Sequence, residues 1–160
     1  MISRPIRRAT VADLPHLRRL EAQAPTAAHW NSSQYEALFT AEVPQRIALV
    51  ATRESGVELV VAFLIAHCSN DEWEIENIVV DENERQVGIG SALVRHLAAE
   101  AAASGAVSLL LEVRESNIPA RRLYEKIGFR VEGRRKNYYR SPDEDAILYR
   151  LPLQSCDKIP

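Results

Sequence analysis

The sequence predicts one domain of α/β or α+β class, in which a sheet and helices pack in layers. Short apolar runs typical of strands recur along the chain. A strand near the middle leads through a glycine-containing loop into a helix, and the C-terminal part follows the order strand, helix, strand, strand. The 160 residues and the 46% hydrophobic fraction suit one domain, predicted over 1–153 with a short tail at 154–160.

Cap and turn residues mark the elements of the first half of the chain. Thr10 is a candidate N-cap for an amphipathic helix, and Ser32 or Ser33 is expected to cap a shorter one. Ser55 and Gly56 are expected to form the turn between two strands. The predicted elements are a strand at 2–10, helices at 11–23 and after residue 31, and strands at 46–54, 57–69 and 73–81.

The strand at 73–81 alternates along its length, so its side chains should divide between the two faces of the sheet. Trp73, Ile75, Asn77 and Val79 are expected on one face, and Glu74, Glu76, Ile78 and Val80 on the other. In this pattern Glu74 is an ordinary surface carboxylate.

The C-terminal part carries clear boundary signals. A helix after the glycine loop should end before Gly105, and a helix over 116–129 has an Asn or Ser cap, an early proline and a terminal Gly128. The three leucines in the strand at 107–114 predict a strand buried on both faces. Two closing strands are predicted at 129–139 and 144–151.

The loop in VVDENERQVGIGSALV is predicted to bind an anion. When a strand ends in such a loop and a helix begins there, backbone N–H groups and the helix dipole converge on one point. Gly88 and Gly90 lack Cβ atoms, so phosphate oxygens can approach the backbone, and Arg85 can add a charged contact.

Known glycine loops differ in how well they match. The P-loop of nucleotide-binding proteins needs a Gly-Lys pair, which is absent here. A dinucleotide fingerprint needs a third glycine where Leu93 stands. The pattern [QR]-x-x-G-x-[GA] is matched by Arg85, Gly88 and Gly90. A glycine-capped turn without a ligand is the alternative.

Several further motifs occur in a fixed order. They are ENIVVD at 76–81, RQVGIGS at 85–91, LEVRESN at 111–117, ARRLYEKIGF at 120–129, RKNYY at 135–139 and EDAIL at 144–148. In these motifs the chain resembles the GNAT superfamily of acetyltransferases, and within it the RimI-type N-terminal acetyltransferases. The first half of the chain matches that type only in outline.

The resemblance implies a fold and an activity. The implied fold has a central mixed, mostly antiparallel sheet of about seven strands flanked by about four helices. The implied activity is acetyl-CoA-dependent acetylation of the N-terminal alanine of a small-subunit ribosomal protein, by direct transfer in a ternary complex. Acetylation of another protein N-terminus, a lysine or a small amine, and a non-catalytic acyl-CoA-binding module, are the alternatives.

Cofactor contacts are expected along the strand, loop and helix at the centre of the chain. By resemblance, the strand end holds the pantetheine arm, the loop holds the pyrophosphate, and Asn117 holds the cofactor near a helix start that it also caps. The expected residues are Ile78, Val79, Val80, Arg85, Gln86, Val87, Gly88, Ile89, Gly90, Ser91 and Asn117.

Glu112 is the candidate catalytic base. A carboxylate in a buried strand is costly unless it is used or paired, and burial would raise its pKa toward a useful value. The resemblance places the catalytic glutamate at this position. A structural pair with Arg114 is the alternative reading, and Glu76 is the rival base.

Tyr124 is the candidate acid for the departing thiolate, because the resemblance places its helix beside the sulfur. A helix-face aromatic in the core is the alternative.

The acceptor peptide is expected to lie between two groups of side chains. Trp30, Glu76, Tyr138 and Tyr139 are the candidate substrate contacts; His29 and Tyr35 could join one wall, and Arg134, Arg135 and Lys136 the other. The alternative readings are a satellite core cluster and a charged hairpin end.

The sequence predicts a cytoplasmic protein with no metal, membrane or direct nucleic-acid partner. It leaves the oligomeric state open, with a monomer as the simplest expectation. The net charge of −2 provides no global basic field. Cys68 and Cys156 lack metal-type spacing, and no apolar run is long enough to span a bilayer. The N-terminal residues contain no signal-peptide core.

Overall fold

The protein is described from a computed structural model, which describes residues 4–40 and 45–154. The helices are α1 (Leu14–Ala22), α2 (Ser32–Ala37), α3 (Ile89–Ala103) and α4 (Ile118–Ile127). The strands are β1 (Ile6–Arg8), β2 (Arg46–Glu54), β3 (Glu58–Ser69), β4 (Glu72–Val80), β5 (Ser108–Arg114), β6 (Arg130–Tyr139) and β7 (Glu144–Pro152).

The strands form one seven-stranded sheet in the order β1-β2-β3-β4-β5-β7-β6. Among the strands of the described residues, only β4 and β5 pair in parallel, and the other neighbours are antiparallel. The predicted fold class, a mixed and mostly antiparallel sheet with four helices, is therefore confirmed.

Two helix starts differ from their predictions. Thr10 caps a short 3-10 turn, Val11–Asp13, and α1 begins only after it. The cap of α2 is Asn31 and not a serine: its side chain accepts the Gln34 N–H at 3.0 Å, and the Gln34 side chain accepts the Asn31 N–H at 2.9 Å. This reciprocal pair is a capping box, which satisfies two otherwise free N–H groups.

The sheet carries a hydrophobic cluster on each face. The larger cluster lies under α3 and α4 and includes Leu93, Leu97, Leu109 and Phe129. The smaller one lies under α1 and α2 and includes Leu17, Leu20, Tyr35, Phe63 and Ile65. Residues 2 and 3 of the predicted first strand and residues 155–160 of the predicted tail, which contain Cys156, lie outside the described residues.

The predicted faces of β4 are wrong beyond Ile75. The register with β3 shifts so that Ile65 faces Asn77 while Ala66 faces Ile75, which makes Glu76 an extra residue. Trp73 and Ile75 pack under α3 and α4, as do Ile78 and Val80 after the bulge, whereas Val79 packs under α1. A β-bulge inserts one residue and moves all later side chains to the opposite face.

The bulge coincides with the point where β4 and β5 part. Their pairing runs from Glu72 opposite Ser108 to Ile75 opposite Leu111. Beyond this point residues 76–80 of β4 and 112–114 of β5 are not paired with each other, and we call the gap between these strand ends the cleft. The prediction that β5 is buried on both faces is wrong, because Leu110, Glu112 and Arg114 are only half-buried, while α1 packs chiefly on β3 and β4.

Candidate functional site

The glycine loop has the backbone shape of an anion site. Gln86 and Gly88 both adopt left-handed conformations, with φ of 64° and 87°. Gly88 is also the N-cap of α3 and has no side chain to cap the first-turn N–H groups. Where left-handed residues alternate with residues in other conformations at the start of a helix, successive backbone N–H groups point into one concavity. The loop therefore offers donors where the helix dipole is positive.

The two glycines of the loop are needed for different reasons. A Cβ on Gly88 would meet no atom within 4 Å, so its positive φ is the requirement. A Cβ on Gly90 would lie 3.1 Å from Leu123 Cδ1 and 3.7 Å from Val80 Cγ2. Gly90 thus allows α3 to pack closely on α4 and β4, a role that the sequence prediction did not include.

Arg85 ties the loop to the end of β4. Its Nε donates to the Val80 carbonyl oxygen at 3.2 Å, while the guanidinium stays exposed. Among the neighbouring residues, Gln86 and Val87 are exposed, Ile89 and Gly90 are buried and Ser91 is half-buried. At the other side of the cleft, the Asn117 side chain caps α4 by accepting the Ala120 N–H at 3.3 Å.

Glu112 faces the cleft from β5 and pairs with a residue that the sequence did not suggest. Arg135 Nε lies 3.0 Å from Glu112 Oε1, reaching across β7 from β6. The alternative partner, Arg114, instead reaches Glu144 at 3.4 Å and lies over the Tyr139 ring at 4.3 Å. The Glu112 side chain is 16% exposed, so water and solutes can reach it.

Tyr138 and Tyr139 stand next to Glu112. Their rings contact each other at 5.2 Å, edge to face, and Arg135 lies over the Tyr138 ring at 5.3 Å. The Glu112 charge is the main cause that raises the pKa of Tyr138. Burial, with Glu112 next, raises the pKa of Tyr139 to about 12. Both phenols are therefore neutral hydrogen-bond donors near neutral pH.

Tyr124 is buried in α4, with 5% of its surface exposed. Its ring contacts Phe129 at 5.6 Å and Tyr149 at 6.3 Å, so the side chain is held by an aromatic cluster. Burial, with a smaller effect of Tyr139, raises the pKa of Tyr124. The packing agrees with the core-aromatic reading, and the protonated phenol agrees with the donor reading.

The opposite side of the cleft is joined to β4 by charged contacts. Arg46 binds both Glu76 oxygens, at 2.8 and 3.0 Å, and lies over the Trp30 ring at 5.8 Å. His67 Nδ1 lies 3.3 Å from Glu76 Oε1. Tyr35, by contrast, is 1% exposed in the smaller cluster, which supports the core reading for that residue.

Glu74 is nearer to the site than its sequence position indicated. His67 Nε2 lies 3.7 Å from its carboxylate. Its pKa is raised mainly by burial; His67 opposes that shift, while Glu112 and Glu76 add to it. The parallel register places Glu74 opposite Leu110, two residues before Glu112 on β5, and no local sequence signal reveals a register.

The remaining charged candidates of β6 do not contact Glu112. Arg134 binds Glu115 at 2.6 Å and Asp145 at 2.9 Å, and Lys136 is exposed.

In the ranges 4–40 and 45–154, no three His, Cys, Asp or Glu residues are placed to hold a metal ion. None of the helices in those ranges is long and apolar enough to cross a membrane. Cys68 is a free, half-buried cysteine.

Residues 14–129 match the family model described as the acetyltransferase (GNAT) family. The chain belongs to this family. The strand, glycine loop and helix of this GNAT protein all lie within the matched range.

Curated relatives carry more specific names. The [ribosomal protein bS18]-alanine N-acetyltransferase of Escherichia coli is 44% identical over 94 residues, which cover 58% of this chain and 64% of that protein. The match thus spans less than two thirds of that relative. A Bacillus subtilis protein, named a putative enzyme of the same kind, is 32% identical over 147 residues, covering 89% of this chain and 91% of that protein.

Solved structures show the same fold. The crystal structure of the Escherichia coli ribosomal-protein-S18-alanine N-acetyltransferase superimposes with a TM-score of 0.82 at 31% identity, covering 99% of both chains. Arabidopsis thaliana NAA60, in complex with a bisubstrate analogue, gives 0.84 at 19% identity, covering 96% of this chain and 99% of that one. The second likeness concerns the fold alone.

Proposed function

We propose that this GNAT protein is an acetyl-CoA-dependent N-terminal α-amine acetyltransferase whose acceptor is the N-terminal alanine of ribosomal protein bS18. The observation that carries the proposal is the cleft between β4 and β5, which has an anion-type loop beside it and Glu112 facing it. The names of the Escherichia coli and Bacillus subtilis relatives support this choice of acceptor.

The loop and the strand end fit acetyl-CoA as co-substrate. N–H groups of residues 86–91 would hold the pyrophosphate, with Arg85 adding charge. The backbone of Ile78–Val80, on the side of β4 that has parted from β5, would pair with the pantetheine arm as an added strand does. Asn117 would contact the co-substrate at the start of α4.

An α-amine makes a modest demand on the catalytic base. Its reference pKa is about 7.8, so roughly one molecule in seven is neutral at pH 7. A lysine amine, with a pKa of about 10.4, is neutral only about once in 2,500. The difference corresponds to about 3.5 kcal/mol. A partly exposed carboxylate such as Glu112 is suited to deprotonating an α-amine, which is easier to neutralise than a lysine amine.

Glu112 is proposed as the base, acting directly or through one water molecule. The acceptor ammonium would replace the half-exposed Arg135 guanidinium beside Glu112. Glu112 first takes one proton from this ammonium, and the neutral amine nitrogen then attacks the thioester carbonyl carbon. A second proton leaves the nitrogen to water as the thioester C–S bond breaks. The rival base, Glu76, is already bound by Arg46 through both oxygens.

Tyr124 is proposed as the donor to the leaving sulfur. As the C–S bond breaks, the phenol O–H would hydrogen-bond to the thiolate and supply its proton. Against a thiol of pKa about 8.5, even a reference tyrosine of pKa about 10 gives a transfer that is uphill by about 2 kcal/mol. Because burial raises the Tyr124 pKa further, stabilisation by the hydrogen bond is the larger part of its role.

The acceptor peptide is proposed to lie across the open face of β4 and β5. Tyr138 and Tyr139 would donate hydrogen bonds on one side, and Trp30 with Glu76 would form the other wall.

We further propose a single catalytic domain over 1–153 with a tail at 154–160, acting as a cytoplasmic monomer.

Initial rates of thiol release from acetyl-CoA test the proposed function. The acceptors are a peptide that begins with the bS18 N-terminal sequence, its N-terminally blocked twin containing an internal lysine, and spermidine. Turnover of the free N-terminus, at least about a hundredfold faster than the others, is expected from the amine pKa values. Equal or faster rates with the blocked peptide or spermidine would refute the choice of acceptor.

A further inference from the structure

A buried carboxylate on α1 connects two parts of the acceptor cleft. Glu21 is 4% exposed and lies at the C-terminal end of α1. Its Oε1 accepts the backbone N–H of Trp30 at 3.0 Å and the Asn77 Nδ2 at 2.8 Å. Asn77 Oδ1 in turn lies 3.5 Å from the Ala28 N–H. One carboxylate thus joins the segment between α1 and α2 to β4.

The bulge in β4 makes this connection possible. Because Glu76 is the extra residue, Asn77 turns toward α1 while Glu76 remains beside His67. Glu21 and Asn77 therefore hold the segment between α1 and α2 on one side of the bulge. On the other side, Arg46 binds Glu76 and covers the Trp30 ring at 5.8 Å.

The backbone between the anchors is held in an unfavourable conformation. His29 lies between Ala28 and Trp30 and has a φ of 54°, which a residue with a side chain rarely adopts. Such a conformation persists where the neighbouring contacts impose it. The hydrogen bonds of the Ala28 and Trp30 amides are those contacts.

We propose that Glu21 is a positioning residue that fixes Trp30 at the acceptor cleft and so determines how tightly an acceptor peptide binds. This inference rests on the proposed function, since it concerns the peptide wall of that site. It assigns Glu21 no contact with acetyl-CoA and no proton transfer. Loss of Glu21 should therefore weaken peptide binding more than it slows the chemical step.

Glu21→Met and Glu21→Gln separate this role from general stability. Methionine has a similar length but accepts no strong hydrogen bond, whereas glutamine keeps an oxygen at the accepting position. We expect Glu21→Met to raise the peptide KM by about tenfold or more, with kcat and the acetyl-CoA Kd little changed. Glu21→Gln should restore a KM within about threefold of the wild-type value.

Asp13→Leu is the matched control at the other end of α1. Asp13 is 5% exposed and binds Arg7 at 2.8 Å and the Thr10 N–H at 2.7 Å. Its loss should lower Tm much as Glu21→Met does, and leave the peptide KM unchanged. Should Glu21→Met fail to fold, Asn77→Ala breaks the same connection from β4 and is expected to raise the peptide KM.

The outcomes distinguish the inference from the proposed function. If the wild type acetylates the peptide but Glu21→Met, or Asn77→Ala in its place, keeps a normal peptide KM, the inference fails alone. It also fails if Asp13→Leu raises the peptide KM equally. If the wild type acetylates no peptide N-terminus, the proposed function fails, and the role of Glu21 fails with it.

Discussion

Replacing Glu112 with glutamine is expected to lower kcat by about 10²–10⁴-fold on a peptide acceptor, the usual contribution of a positioned general base. The amide keeps the shape of the side chain but cannot take the proton of the attacking amine. Because Glu112 lies on β5 and not in the glycine loop, the affinity for acetyl-CoA should stay within about twofold of wild type. Single-turnover rates and calorimetric titration of acetyl-CoA measure the two quantities.

Glu115→Gln is the control for the lost carboxylate. Glu115 follows β5 and binds Arg134 at 2.6 Å, with 41% of its side chain exposed. An exposed ion pair contributes about 0–1 kcal/mol, so this variant should fold and turn over normally. Near-normal turnover by Glu112→Gln would remove Glu112 from the mechanism, and Glu76→Gln would then be the next variant to assay.

Replacing Tyr124 with phenylalanine is expected to lower kcat by about a hundredfold while the peptide KM changes little. The ring contacts with Phe129 and Tyr149 do not involve the hydroxyl, so the aromatic cluster should persist. The change therefore removes the donor to the departing sulfur and leaves the packing in place. Steady-state kinetics on the peptide acceptor measure the effect.

Tyr149→Phe tests whether any hydroxyl in this cluster would matter as much. The Tyr149 hydroxyl donates to Glu125 at 2.6 Å and accepts from Arg121 Nε at 3.1 Å. Its removal should cost about 1.5–3 kcal/mol of stability, because both partners are charged, and leave kcat unchanged. If both variants slow turnover equally, or if Tyr124→Phe turns over normally, Tyr124 is a core aromatic and not the donor.

Local signals allowed much of the fold to be predicted. Asn117 and Gly128 mark the ends of α4 because a side-chain cap and a left-handed residue are local requirements, and Gly128 has a φ of 117°. The loop before α3 was likewise readable from its glycines. Ser32 or Ser33 was the wrong cap for α2, because Asn31 forms the capping box with Gln34.

Contacts between distant strands could not be predicted from the sequence. The bulge at Glu76 depends on how β4 pairs with β3, and alternation alone placed Asn77 on the face of Trp73. The pairing of Glu112 with Arg135 depends on the order of β5, β7 and β6, which local patterns do not specify. The sequence therefore predicts candidate catalytic residues but not the neighbouring side chains that position them.

The position of the transferred acetyl group tests the central proposal most directly. A peptide that carries a free N-terminal alanine and an internal lysine would be incubated with the protein and acetyl-CoA, then sequenced by tandem mass spectrometry. The proposal predicts acetylation of the α-amine with the lysine unmodified, and no product with Glu112→Gln on the same timescale. Acetylation of the lysine, or of neither amine, would contradict it.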